Sequence, residues 1–133
     1  MGILDKLFKS ESDNTNEKKS QVPWNDLNST AQLEELKAES KDKPVAILKH
    51  STRCGISKMV LRQFENSYDL SEDADIKLYF LDLLSYREVS NEIAERFSVR
   101  HESPQLIVLK DENVVHHSSH QGIDADKLKE FLN

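Results

Sequence analysis

Cys54 is the one thiol in a chain of 133 residues. It stands in Lys49-His50-Ser51-Thr52-Arg53-Cys54-Gly55-Ile56-Ser57, straight after the apolar run Val45-Ala46-Ile47-Leu48 and straight before a stretch with helical spacing. A cysteine at a helix N-terminus meets unpaired N–H groups whose partial positive charge favours thiolate over thiol. The guanidinium of Arg53 adds a full positive charge beside it. This is the setting of a nucleophilic sulfur. The second position of a C-x-x-C redox pair is Ser57, so any disulfide made by Cys54 takes its second sulfur from another molecule. Free cysteine often serves as a small buried hydrophobe instead. Arg53, Gly55 and Ser57 are not core neighbours, which favours the reactive reading.

Histidines are the other candidates for chemistry. On an extended strand side chains alternate, so His116 and His120 share a face roughly 13 Å apart while His117 points away. That spacing holds no single ion, and nothing matches a zinc motif, so no metal centre is expected. His50 and His101 fall at predicted strand ends near Cys54, where either can tune the thiol.

The elements around Cys54 must position it. Residues 22–27 read as a short first strand. Ser29 and Gln32 form a capping box for a helix to about Ser40, with Leu33 and Leu36 on one face. Pro44 opens the apolar run 45–48, typical of a strand buried on both faces. A helix over about 57–68 repeats Val60, Leu61, Phe64 and Tyr68 at helical spacing. Residues 76–81 make a third strand. A third helix over about 87–97 turns Val89, Ile93 and Phe97 inward. Residues 105–109 make a fourth strand, Asp111-Glu112-Asn113 turns the chain back, and 114–118 returns antiparallel. Asp124 caps a last helix that buries Leu128, Phe131 and Leu132. The order β-α-β-α-β-α-β-β-α predicts an α/β fold with a central sheet and helices on both faces. The Cys54 loop leaves the carboxyl end of the second strand, where open α/β sheets place their sites.

Composition narrows the partners. The formal net charge is −6, and no basic stripe with interleaved aromatics appears, which argues against nucleic acid. No stretch approaches the ~20 apolar residues of a membrane span. Residues 1–8 lack the apolar core and cleavage site of a secretory signal. A single cysteine fits a reducing cytoplasm. Residues 1–9 read as a short amphipathic stretch and 10–21 as a polar segment without periodicity. The expectation is a flexible leader over 1–21 and one domain over 22–133.

The element order, Cys54 at the second strand-to-helix turn, and Pro104 just before the fourth strand together resemble the thioredoxin superfold. That resemblance implies a cis Ser103–Pro104 bond facing Cys54, with the Ser103 backbone offered to an incoming disulfide. It also leaves no place for a Cys-His-Asn triad. More narrowly, the Lys49–Ser57 segment, the Ser103-Pro104-Gln105 step and Ser119-His120 followed by Ile123 resemble the YtxJ-type monothiol bacilliredoxins. These are thioredoxin-like bacterial proteins associated with the small thiol bacillithiol.

The resemblance implies exchange with S-thiolated client proteins, bacillithiol as co-substrate, no bound cofactor, and a cytoplasmic monomer. Cys54 is then the catalytic thiol. Arg53, Gly55 and Ser57 stabilise its thiolate, Ser57 by a hydrogen bond from its hydroxyl. Thr52, Ser103, Pro104 and His120 line the substrate site. Gly55 departs from the family, which usually has proline there. Cys54-Gly55-Ile56-Ser57 also resembles the C-G-F-S monothiol glutaredoxins, which hold a [2Fe–2S] cluster between two protomers with a small thiol. A thioredoxin-like binding module without turnover is a third alternative.

Overall fold

A computed structural model describes residues 22–132. The expected leader, 1–21, lies outside the described residues. The chain runs through β1 (Trp24–Asp26), α1 (Ala31–Glu39), β2 (Val45–His50), α2 (Gly55–Ser67), β3 (Lys77–Asp82), α3 (Arg87–Arg96), β4 (Gln105–Lys110) and β5 (Asn113–Ser119), then two 3-10 segments, His120–Gly122 and Ala125–Phe131.

The apolar run ahead of the thiol becomes β2, and all six of its residues are buried. Such a strand needs cover on both faces and both edges, and it sits at the middle of a five-stranded sheet of order β1-β3-β2-β4-β5. β1, β3 and β2 are parallel, whereas β4 and β5 run antiparallel to their neighbours. Alternation along β2 sends Val45 and Ile47 to one core and Ala46 and Leu48 to the other. The first core is closed by Leu33 and Leu36 of α1 and Val89 and Ile93 of α3. The second is closed by Val60 and Phe64 of α2 with Ile123, Ala125 and Leu128. Trp24 clips β1 to α2, with its indole Nε1 donating to Glu65 Oε2 at 2.7 Å and its ring 5.6 Å from that of Phe64.

Local chemistry departs from expectation at two helices. Only half of the capping box forms at α1. Gln32 Oε1 accepts the Asn28 and Ser29 N–H groups at 2.7 and 3.0 Å, while the N-cap is Thr30, whose side chain caps nothing. The last expected α-helix is a 3-10 segment. Asp124 does cap it, accepting from the Asp126 N–H at 3.0 Å, and Leu128 is buried, but Phe131 and Leu132 are only half-buried. Its charged residues pair three apart, Lys127 with Glu130 and Lys129 with Asp126. Residues three apart eclipse one another in a 3-10 turn, which suits these pairs.

The hairpin turns at Asp111 and Glu112, both with positive φ, as a two-residue turn between twisted strands requires. A bulge follows. Val108 faces His116 but Leu109 faces Val114, so Val115 is skipped and stands exposed. Among the described residues no helix is long and apolar enough to cross a membrane.

Candidate functional site

Strand directions collect the singled-out residues at one end of the sheet. β2 and β4 are antiparallel, so the end of β2 lies beside the start of β4, with Lys49 opposite Gln105. β4 and β5 are antiparallel in turn, and Gln105 also faces Ser119. The Cys54 loop, the Ser103–Pro104 step and His120 therefore share one edge.

Cys54 is the N-cap of α2. Its N–H donates to the Ser51 carbonyl at 3.3 Å, and its own carbonyl accepts the Lys58 N–H at 3.0 Å. The side chain is partly exposed and makes no capping bond, so the sulfur is left to solvent and to partners. Thr52, Arg53 and Gly55 are exposed around it. Arg53 carries no ion pair among the described residues, so its influence on the sulfur is that of a solvated charge.

Ser57 corrects the expectation. It is wholly buried, and its hydroxyl oxygen accepts the Ser51 N–H at 3.0 Å. The same hydroxyl lies 2.8 Å from His50 Nδ1. Among the described residues no hydrogen bond joins Ser57 to the Cys54 thiol. The hydroxyl ties the end of β2 to the first turn of α2 and so fixes the loop from which Cys54 projects. The His50 ring is buried beside it, 5.5 Å from that of Phe80. Burial holds His50 below its ordinary pKa, against the opposing pull of Asp82 and Glu65. A neutral ring with its proton on Nε2 leaves Nδ1 free to accept the Ser57 proton.

The Ser103–Pro104 peptide bond is cis, and Pro104 is buried. Ser103 Oγ is buried with no partner among the described residues. The Pro104 carbonyl accepts the His120 N–H at 3.1 Å. His120 stands at φ 55° with its side chain exposed, so it joins the rim beside the proline. His116 instead lies tilted against Phe131, 5.5 Å between ring centres, and His117 is exposed. Because β5 ends at Ser119, the strand alternation assumed for His116 and His120 stops short of His120. Among the described residues no three His, Cys, Asp or Glu side chains gather as a metal site.

A buried polar group on the opposite face went unread in the sequence. Lys49 is fully buried, and its Nζ meets the Ser90 carbonyl at 3.3 Å and His101 Nδ1 at 3.2 Å. Gln105, its cross-strand neighbour, donates from Nε2 to the Arg100 carbonyl at 2.9 Å. The available signal was parity. Lys49 continues the alternation of Val45 and Ile47, so a lysine was bound to face the core of a strand buried on both sides.

Gly55 opens α2, and a Cβ placed there meets nothing within 4 Å. Cys54 holds φ −111° and ψ 124°, the extended conformation that a residue before proline prefers. The first helical N–H has no intrahelical acceptor, so proline costs no bond there. Gly55→Pro is therefore expected to raise stability by about 0.5–1 kcal/mol, read by urea denaturation. A destabilised variant would contradict the geometry at this turn.

Residues 25–128 match the family model described as Monothiol bacilliredoxin BrxC. Solved structures similar to this chain include a protein with a thioredoxin fold, at 33% identity over 79% of this chain and 89% of that one, with a TM-score of 0.66. Malassezia sympodialis thioredoxin matches at 19% identity over 85% and 90%, TM-score 0.63. Fasciola hepatica thioredoxin matches at 23% over 79% and 92%, TM-score 0.57. The last two bear on the fold alone. The thioredoxin-like reading and the bacilliredoxin resemblance are both borne out.

Proposed function

We propose, from the premise that this chain belongs to the monothiol bacilliredoxin family, that it removes bacillithiol from mixed disulfides on client proteins through Cys54. Family and fold establish thiol–disulfide redox function; the particular co-substrate and direction are the proposal. The observation that carries it is a single, partly exposed thiol at the first turn of α2, in a chain with no second cysteine. A mixed disulfide already contains the second sulfur, so one thiol suffices.

The chemistry runs in two exchanges. Cys54 thiolate attacks the bacillithiol sulfur of the client disulfide. A new S–S bond forms between Cys54 and bacillithiol, the old one breaks, and the client thiolate leaves and takes a proton from water. A second thiol, as thiolate, then attacks the bacillithiol sulfur of the adduct; a disulfide forms between that thiol and bacillithiol, the Cys54–bacillithiol bond breaks, and Cys54 leaves as thiolate. The rate follows thiolate fraction, access and leaving-group basicity. The partly exposed position of the Cys54 side chain at the start of α2 supplies the access. Ser103, one residue before the cis proline, carries no hydrogen bond among the described residues, which supports its backbone as the strip that receives the client. Thr52 and His120 form the rim. The protein acts as a cytoplasmic monomer in this reading and needs no bound cofactor.

The test is release of reduced client from a bacillithiol-modified protein, run beside a glutathione-modified one. The expected result is faster release from the bacillithiol form. Equal inertness toward both, with a visible-region chromophore after anaerobic iron and sulfide reconstitution, would replace this reading with that of a cluster carrier.

A further inference from the structure

Lys49 takes no part in the two exchanges, yet it lies five residues before Cys54, on the strand that carries the site loop. It is fully buried, and no carboxylate pairs with it among the described residues. Only neutral groups receive its protons. The Ser90 carbonyl of α3 lies 3.3 Å away and His101 Nδ1 3.2 Å away. An ammonium has only protons to give, so toward Lys49 Nδ1 is the acceptor, and Ser90 Oγ also approaches it at 3.4 Å. Across the strand Gln105 grips the preceding residue through the Arg100 carbonyl, and its Oε1 is buried with no partner. Two neighbouring side chains thus hold Arg100 and His101, where the chain enters the segment leading to Ser103 and Pro104.

Resting on the exchange reading above, we propose that Lys49 is a positioning residue: from behind the sheet its ammonium clamps the client-receiving segment 100–104 through His101, and loss of its proton slackens that clamp. A charge-assisted N–H bond is roughly twice as strong as a neutral one, so the proton matters to the grip. Burial lowers Lys49 from its ordinary value to about 8. The groups facing the pair are few. α3 supplies Arg87 and the loop supplies Glu102, which push His101 down and up respectively, while burial and Lys49 also lower it. β3 places Leu81 opposite Lys49, and β4 places Gln105 there.

The experiment measures KM and kcat for a bacillithiol-modified client peptide from pH 6.5 to 9.5, beside Cys54 alkylation by iodoacetamide, which needs no client loop. Wild type should show KM rising about five-fold with a midpoint near pH 8, while the alkylation profile is the same in wild type and Lys49→Met. Lys49→Met should keep the higher KM at every pH. Lys49→Met keeps the apolar stem and removes the ammonium; should this variant not fold, the wild-type and His101→Gln profiles decide. His101→Gln keeps an acceptor that does not titrate, so its midpoint should stay near 8. A flat wild-type KM, a Lys49→Met profile that follows wild type, or a midpoint lost in His101→Gln would each overturn the clamp. Absence of any exchange by wild type would sink the functional reading itself, whereas exchange with a flat KM would sink only this inference.

Discussion

Cys54→Ala is expected to abolish client release and to leave the fold standing. No other residue in the chain can form a disulfide, so removing the sulfur removes the first exchange and with it everything downstream. Loss of an essential nucleophile typically costs about 10³-fold or more, which places the variant at the uncatalysed background. The fold should not notice. The Cys54 side chain is partly exposed and makes no capping bond. Surface changes of this kind stay within about ±0.5 kcal/mol. Client release and urea denaturation check the two halves separately. Substantial residual release by a folded Cys54→Ala protein would mean that the sulfur is not the nucleophile.

Ser57→Ala works the other way, chiefly on stability. The hydroxyl it removes serves the half-buried Ser51 N–H and the buried His50 ring. Leaving buried polar groups unpaired costs about 1–3 kcal/mol, equivalent to a fall in Tm of roughly 4–12 °C for a domain of this size. A pH signature accompanies it. The folded pKa of His50 lies below its unfolded value near 6.5 because burial disfavours the cation. The neutral ring therefore contributes stability that is fully present above pH 6.5 and is lost as pH falls through the folded value. His101 and His116 are lowered by burial as well and share in the acid slope. His50→Gln should make the fall in stability below pH 6.5 shallower by the share of one proton. An unchanged Tm in Ser57→Ala would show that the serine does not hold the loop.

That pair of residues marks where the sequence stops being legible. Cys54 stood out because its neighbours are polar and it follows a run of four apolar residues, a local pattern that needs no tertiary knowledge. Pro104 was legible only through the resemblance to the thioredoxin superfold, since a proline at a strand entry has by itself an ordinary explanation. The unbroken apolar run 45–48 marked β2 as a strand buried on both faces. Ser57 was different. Its spacing put it on the helix beside Cys54, but a hydroxyl bonds whatever burial brings nearest, and the ring of His50 arrives from the neighbouring strand. The final helix went astray because 3.6-residue and 3-residue spacings cannot be told apart over seven residues, and Asp124 caps either. Lys49 was hidden by habit, as lysine is read as solvent-facing, although its parity with Val45 and Ile47 said otherwise.

Intact-mass analysis of the reduced protein after mixing with a bacillithiol-modified client tests the central claim most directly. The expected result is one bacillithiol added at Cys54, mapped by peptide digestion, with an equal amount of client released in reduced form. A folded, reduced protein that gains no mass while the client keeps its mixed disulfide would contradict it.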